Sequence, residues 1–149
     1  KGLQMTAEVP TLPLLPFDPA GFRALVFNLL TNAIQACRSG CSIHLRVQLE
    51  GNHLQLSVVD TGKGMPPDVL ARCRELFFTT KAKGTGIGLA LCTSLAESAG
   101  GSLEVASTPD QGTCITVSIP TNPTPTEGGR HVPSGRSQPN PEAATVWHP

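Results

Sequence analysis

Between Phe22 and Cys37 the apolar residues Phe22, Leu25, Val26, Leu29, Leu30, Ala33 and Cys37 recur at three- and four-residue spacing. That period gathers them on one stripe of an α-helix. Asp18-Pro19 supplies an N-cap followed by proline at the first helical position, so the pattern predicts a helix from there to near Gly40. The period then drops to two. Ile43, Leu45, Val47 and Leu49 alternate with His44, Arg46 and Gln48, Gly51-Asn52 makes a turn, and Leu54, Leu56 and Val58 alternate with Gln55 and Ser57. A half-buried hairpin leading into Asp60 is expected. Further helices are expected from Pro67 to about Glu75 and from Gly88 to Ala99, where Gly100-Gly101 stops the second. Strands at Ser102–Ser107 and Thr113–Ile119 flank the turn Pro109-Asp110-Gln111-Gly112. Strand pairs joined by tight turns and interleaved with helices predict an α+β fold: a two-layer sandwich with a mixed, mostly antiparallel sheet and about three helices on one face.

The pattern stops at Pro120. Residues 121–149 interleave proline with Gly, Ser, Thr and Asn and hold almost nothing apolar except Val132, Val146 and Trp147. Such a stretch buries too little surface to offset its ordering entropy, so a domain over 1–120 followed by a disordered tail over 121–149 is expected.

Composition narrows the function. The chain has 149 residues, with 11 Lys+Arg against 11 Asp+Glu. A net charge of zero lacks the basic field that nucleic-acid binding draws on, so no nucleic-acid partner is expected. No apolar run is long enough to span a bilayer, and no leader opens the chain, which reads as a piece of a longer protein. Cys37, Cys41, Cys73, Cys92 and Cys114 form no CxxC pair and sit mostly among apolar residues, as buried thiols of a reducing compartment do. A metal on Cys37 and Cys41 lacks a second ligand pair at zinc spacing.

Four patches carry candidate chemistry. Asn28 and Asn32 stand four apart mid-helix, where asparagine is a poor residue, and at about 100° per residue they fall on the flank of the apolar stripe. Amide oxygens there are hard ligands suited to Mg²⁺, although a pair of solvated amides explains this patch alone equally well. Val58-Val59-Asp60-Thr61-Gly62-Lys63-Gly64-Met65-Pro66 delivers a carboxylate from a strand into a glycine turn. An ionised carboxylate only accepts hydrogen bonds, which matches the exocyclic amine of adenine, and a turn-forming Asp is the simpler reading in isolation. The third patch runs from Phe77 through Lys81 and Lys83 to Gly84-Thr85-Gly86-Ile87-Gly88-Leu89. Alternate glycines opening a helix make an anion site, and neither a P-loop nor a dinucleotide fingerprint fits the surrounding residues. Gln111-Gly112-Thr113 gains weight only from its place after the other three.

In that order, within about ninety residues, the set resembles the ATP-binding domain of bacterial sensor histidine kinases, part of the superfamily that includes gyrase, Hsp90 and MutL. The short lid is most similar to nitrogen-regulation and dicarboxylate-sensing kinases. The resemblance covers Lys1 to about Pro120 and implies a Bergerat-type fold with ATP and Mg²⁺ as ligands. It implies that Asn32 coordinates the metal and that Asn28 helps hold metal and phosphate. Asp60 would read adenine above Gly62 and Gly64, Thr113 would lie near the adenine water network, and Gly84, Thr85, Gly86, Ile87, Gly88 and Leu89 would line the phosphate side. Lys81 would meet the γ-phosphate, making Asn28 and Lys81 the catalytic candidates. ATP-hydrolysing relatives carry a glutamate where Asn28 stands, and a neutral amide cannot act as general base, so rapid self-hydrolysis is not expected.

The family's Phe-x-Pro-Phe lid anchor is replaced by Cys73-Arg74-Glu75-Leu76. None of His44, His53, His131 and His148 begins a phosphoacceptor motif on a helix. The resemblance therefore implies a catalytic half that does not phosphorylate itself and acts on a histidine of its own upstream dimerisation domain. The whole kinase would be a homodimer serving a response regulator, cytoplasmic or anchored in the inner membrane. A serine kinase or ATPase on the same fold, or a degenerate nucleotide-sensing or docking module, is the alternative.

Overall fold

In the computed structural model, which describes residues 2–12, 17–81 and 84–122, a five-stranded sheet runs in the order β1-β2-β3-β5-β4. Its strands are β1 (Gln4–Glu8), β2 (Ser42–Glu50), β3 (His53–Asp60), β4 (Ser102–Thr108) and β5 (Gly112–Pro120); its helices are α1 (Pro19–Ala36), α2 (Pro67–Arg72) and α3 (Gly88–Ser98). β1 pairs parallel with β2, and the other pairings are antiparallel. The α+β sandwich expected from the sequence is therefore present.

The register explains the core. Leu45, Val58, Ile115 and Val105 form one cross-strand row, and Val47, Leu56, Val117 and Leu103 the next. With Leu25, Leu29 and Ala33 of α1 and Cys92 and Ala96 of α3 they make a single buried cluster. On the opposite face Arg46, Ser57, Thr116 and Glu104 lie in register, so polar side chains meet water there.

One further row on the helix-covered face breaks the apolar run: Asp60, Thr113 and Ser107 follow each other across β3, β5 and β4. The core therefore ends in a polar edge, and the site is built there.

Beyond shifts of one residue, three features differ from the sequence expectation. α1 ends at Ala36 rather than near Gly40, because Cys37 turns extended and the Ala36 carbonyl accepts from Lys63 N at 3.1 Å, outside the helix. α2 ends at Arg72 rather than Glu75; it buries no residue, and the chain from its end onward closes four-residue turns at Cys73, Glu75 and Phe78. β1 has no counterpart in the sequence reading. All its residues are exposed, so no alternation marks it, and its pairing is sealed from outside by Arg46 Nε on Glu8 at 2.8 Å and Thr6 Oγ1 on His44 Nδ1 at 2.7 Å. The tail expected over 121–149 lies, beyond Asn122, outside the described residues, as does Lys83. Among the described residues no helix is long and apolar enough to cross a membrane.

Candidate nucleotide site

Asp60 is buried at the end of β3, with 5% of its surface exposed. Burial pushes its carboxyl above the ordinary range, while the backbone N–H groups of Gly62 and Thr113 pull it back. The Gly62 bond to Asp60 Oδ1 is 2.8 Å. A Cβ on Gly62 would stand 2.7 Å from both that oxygen and the Ala36 carbonyl, so only glycine fits between them. Gly64 has a φ of +61°, and a Cβ there would overlap the Thr108 carbonyl. Asp110 N also donates to Lys63 O at 2.8 Å, so the loop after β3 lies clamped between α1 and the β4–β5 turn.

Ser107 joins these pieces and was not among the sequence candidates. Its hydroxyl accepts from Met65 N at 2.9 Å, donates to Gly112 O at 2.9 Å and pairs with Thr113 Oγ1 at 2.9 Å, which uses its full capacity. No pattern in the sequence marks it; the register opposite Thr113 brings it here.

Asp60 opens onto a cavity of about 150 Å³. Of the sequence candidates, Asn32, Asp60, Gly64, Lys81, Gly86, Gly88, Leu89 and Thr113 line it. Asn28, Gly62, Gly84, Thr85 and Ile87 do not. Gly62 instead supports Asp60, and Asn28 bonds its own helix through Nδ2 on Ala24 O at 2.8 Å. The Asn28 carbonyl oxygen faces Gly88, where a Cβ would come within 3.3 Å of it. Met65, Val69, Cys73 and Phe78, none of them a sequence candidate, add an apolar wall. Arg72, at the end of α2, stacks 4.3 Å above the Phe78 ring and helps hold that aromatic at this wall.

At the far end Lys81 reaches back across the cavity to α1. Its Nζ donates to Asn32 Oδ1 at 2.9 Å and to Gln35 Oε1 at 2.6 Å. Burial, then the charge of Lys63, lowers the Lys81 ammonium below its ordinary value. Both amide oxygens thus already hold a cation, which is the demand a divalent ion would make of them. Among the described residues no cluster of three or more His, Cys, Asp or Glu is placed to hold a metal. α3 begins beside them at Gly88, and no side chain caps its N-terminus at Ile87, so its first N–H groups stay available to an anion.

A carboxylate at one end, a cation and free helix N–H groups at the other, and an apolar wall between them suit a nucleotide. The model of the histidine kinase-, DNA gyrase B- and HSP90-like ATPase family matches residues 17–123. The chain belongs to this family. As an ATPase-family domain it is similar to the sensor histidine kinase ZraS of Escherichia coli K12, 38% identical over 120 residues. That match covers 80% of this chain and 26% of the relative, so the chain spans about a quarter of the protein it matches. The catalytic domain of histidine kinase ThkA superposes with a TM-score of 0.72 at 26% identity, covering 82% of each chain. Full-length ShkA in complex with AMPPNP superposes with a TM-score of 0.69 at 29% identity, covering 83% of this chain and 27% of that one. The family, the fold and ATP binding as the family's common property are therefore in place.

Proposed function

We propose that this domain binds Mg-ATP and presents the γ-phosphoryl group to a histidine on a separate dimerisation domain, as the catalytic half of a two-component sensor kinase. The observation that carries the reading is the cavity with Asp60 at one end and Asn32, Lys81 and the start of α3 at the other.

The Asp60 carboxylate, which takes two backbone N–H groups against the upward pull of burial, accepts from the exocyclic amine of adenine and offers nothing to the carbonyl that guanine has in its place. Met65, Val69 and Phe78 exclude water from the base. The N–H groups of Gly88 and Leu89 and the Lys81 ammonium neutralise phosphate charge. Asn32, with Gln35 beside it, would hold Mg²⁺, which supplies charge neutralisation and orientation of the phosphates when bound. Asn28 is a neutral amide turned onto its own helix and cannot deprotonate water, which supports storage of ATP rather than its hydrolysis. The nucleophile is then an imidazole nitrogen from outside the chain: its lone pair forms the N–P bond, the bond from phosphorus to the bridging oxygen breaks, and ADP leaves. That histidine would belong to the protein's own upstream domain, within a homodimer that passes the phosphoryl group to a response regulator. The short lid supports a place beside the nitrogen-regulation type of kinase.

Calorimetric titration with a non-hydrolysable ATP analogue, with and without Mg²⁺ and against a GTP analogue, tests the site. Metal-assisted, adenine-selective binding is expected, and equal affinity for both nucleotides would remove Asp60 from its role. Adding a dimerisation domain of a ZraS-like kinase with labelled ATP tests the chemistry: acid-labile, base-stable label on that domain is expected, and release of free phosphate instead would make the domain an ATPase.

A further inference from the structure

Cys37 and Cys41 lie behind the base end of the cavity and take no part in the function above. Cys37 follows the last residue of α1, and Cys41 precedes β2. The turn between them closes through Cys41 N on Arg38 O at 3.4 Å and carries Gly40 at a φ of +86°. It folds the second cysteine back toward the first: Cys41 Sγ lies against the Arg38 N–H, one peptide from Cys37, and both cysteines are buried in the core, exposed to 5% and 9%. Arg38 N donates to Cys41 Sγ at 3.2 Å, and that thiol donates to Thr61 O at 3.4 Å. Thr61 follows Asp60. The residues flanking the pair hold the same loop, since Ala36 O accepts from Lys63 N and Ser42 O from Thr61 N, both at 3.1 Å.

We propose that Cys37 and Cys41 form a reversible disulfide with a peroxide as oxidant, and that this bond weakens nucleotide binding by disturbing the loop that carries Asp60. The disulfide stands on the turn that brings Cys41 back against Arg38 and on the burial of both residues in one cluster; its effect on the nucleotide rests on the function proposed above. Cys41, the more exposed of the two residues, reacts first. Its Sγ attacks one peroxide oxygen, the O–O bond breaks, and water leaves from a Cys41 sulfenic acid. Cys37 Sγ then attacks that sulfur, the S–O bond breaks and a second water leaves. Two thiols are oxidised to one disulfide while one peroxide is reduced to two waters, so protons and electrons balance. Burial pushes the Cys37 thiol up to about 11, which slows this second step.

The bond changes the loop in two ways. Cys41 loses the hydrogen it donates to Thr61 O, leaving that carbonyl short of a partner. A disulfide is also only about 2.05 Å long, shorter than any non-bonded contact of two sulfurs, so it draws the end of α1 toward the turn and shifts the Ala36 carbonyl that holds Lys63.

The 149-residue chain, first reduced, is treated with hydrogen peroxide, alkylated and digested with trypsin without reductant. Trypsin cuts at Arg38, between the two cysteines, so the disulfide appears as a pair of linked peptides. Linked Cys37 and Cys41 peptides are expected, with ATP-analogue affinity falling roughly tenfold and recovering in dithiothreitol. Cys41→Ser should keep its affinity through peroxide, and Cys37→Ser serves as the same control should that variant fail to fold. Full alkylation of both cysteines after peroxide overturns the disulfide, and a linked pair with unchanged affinity overturns the switch. A reduced chain that binds no nucleotide sinks the function proposed above, while the peptide map still decides the bond.

Discussion

At the base end of the cavity every polar contact is made by paired strands or by backbone: Asp60 on β3 takes N–H groups from Gly62 and Thr113, and Ser107 ties β4 to β5 and to Met65. At the phosphate end the contacts come from one long lysine side chain lying across α1 and from the uncapped first N–H groups of α3. The base end is therefore fixed before any ligand arrives. The phosphate end is assembled from groups that satisfy each other and must exchange partners: Lys81 has to release Asn32 for that oxygen to meet a metal. Recognition of the base can rely on rigid complementarity, while phosphate binding includes the loss of two good hydrogen bonds.

The contrast can be broken most sharply at Asp60. Asp60→Asn should lower ATP-analogue affinity by at least about a hundredfold, since the amide presents a donor to the adenine amine. The same change should leave thermal stability at neutral pH unchanged or raised. Burial holds the folded carboxyl above its unfolded value, so the folded state binds more protons in the window between the two, and stability is lost as pH rises through it. The difference in melting temperature should shrink as the pH falls below the ordinary carboxylate range; a variant that melts well below the parent at neutral pH would make Asp60 a structural residue.

A smaller effect is expected at the other end. Asn32→Ala should keep most of the affinity measured without Mg²⁺ and lose the increment that Mg²⁺ adds, because Lys81 retains Gln35 as a partner. Equal losses with and without metal, read by the same titration, would deny Asn32 a metal role. Ser107→Ala should do least to binding, lowering affinity a few-fold while destabilising the fold by about 1–2 kcal/mol, because Met65 N and Gly112 O both lose a partner. Denaturant unfolding checks this, and an unchanged midpoint would show that water replaces the hydroxyl.

The elements that pack were legible, and those that only pair were not. α1 and the β2–β3 hairpin carry their periods in the sequence because each buries one face, whereas β1 is exposed throughout and holds its place by backbone pairing and by Glu8 with Arg46. The site was legible where a residue type is unusual for its element, as at Asn32 or Asp60. It was not legible for Met65 and Phe78, ordinary residues that reach the cavity through turns, or for Ser107, which register sets behind it against Thr113. The motif also contained more than the cavity uses: Gly62 and Gly84 are glycines for want of space against Asp60 and Thr79, and Asn28 packs on Gly88. A string of letters does not separate contact with a ligand from support of the residue that makes it.

The early end of α1 sets a length. Asn32 faces the phosphate end, and four residues later the Ala36 carbonyl grips the loop of Asp60. Four helical residues rise about 6 Å. The helix is thus a gauge, graduated by its own hydrogen bonds, against which a ligand is measured from base to phosphate. A residue inserted between these two positions would turn the amide by about 100° away from the cavity while leaving each half of the site intact.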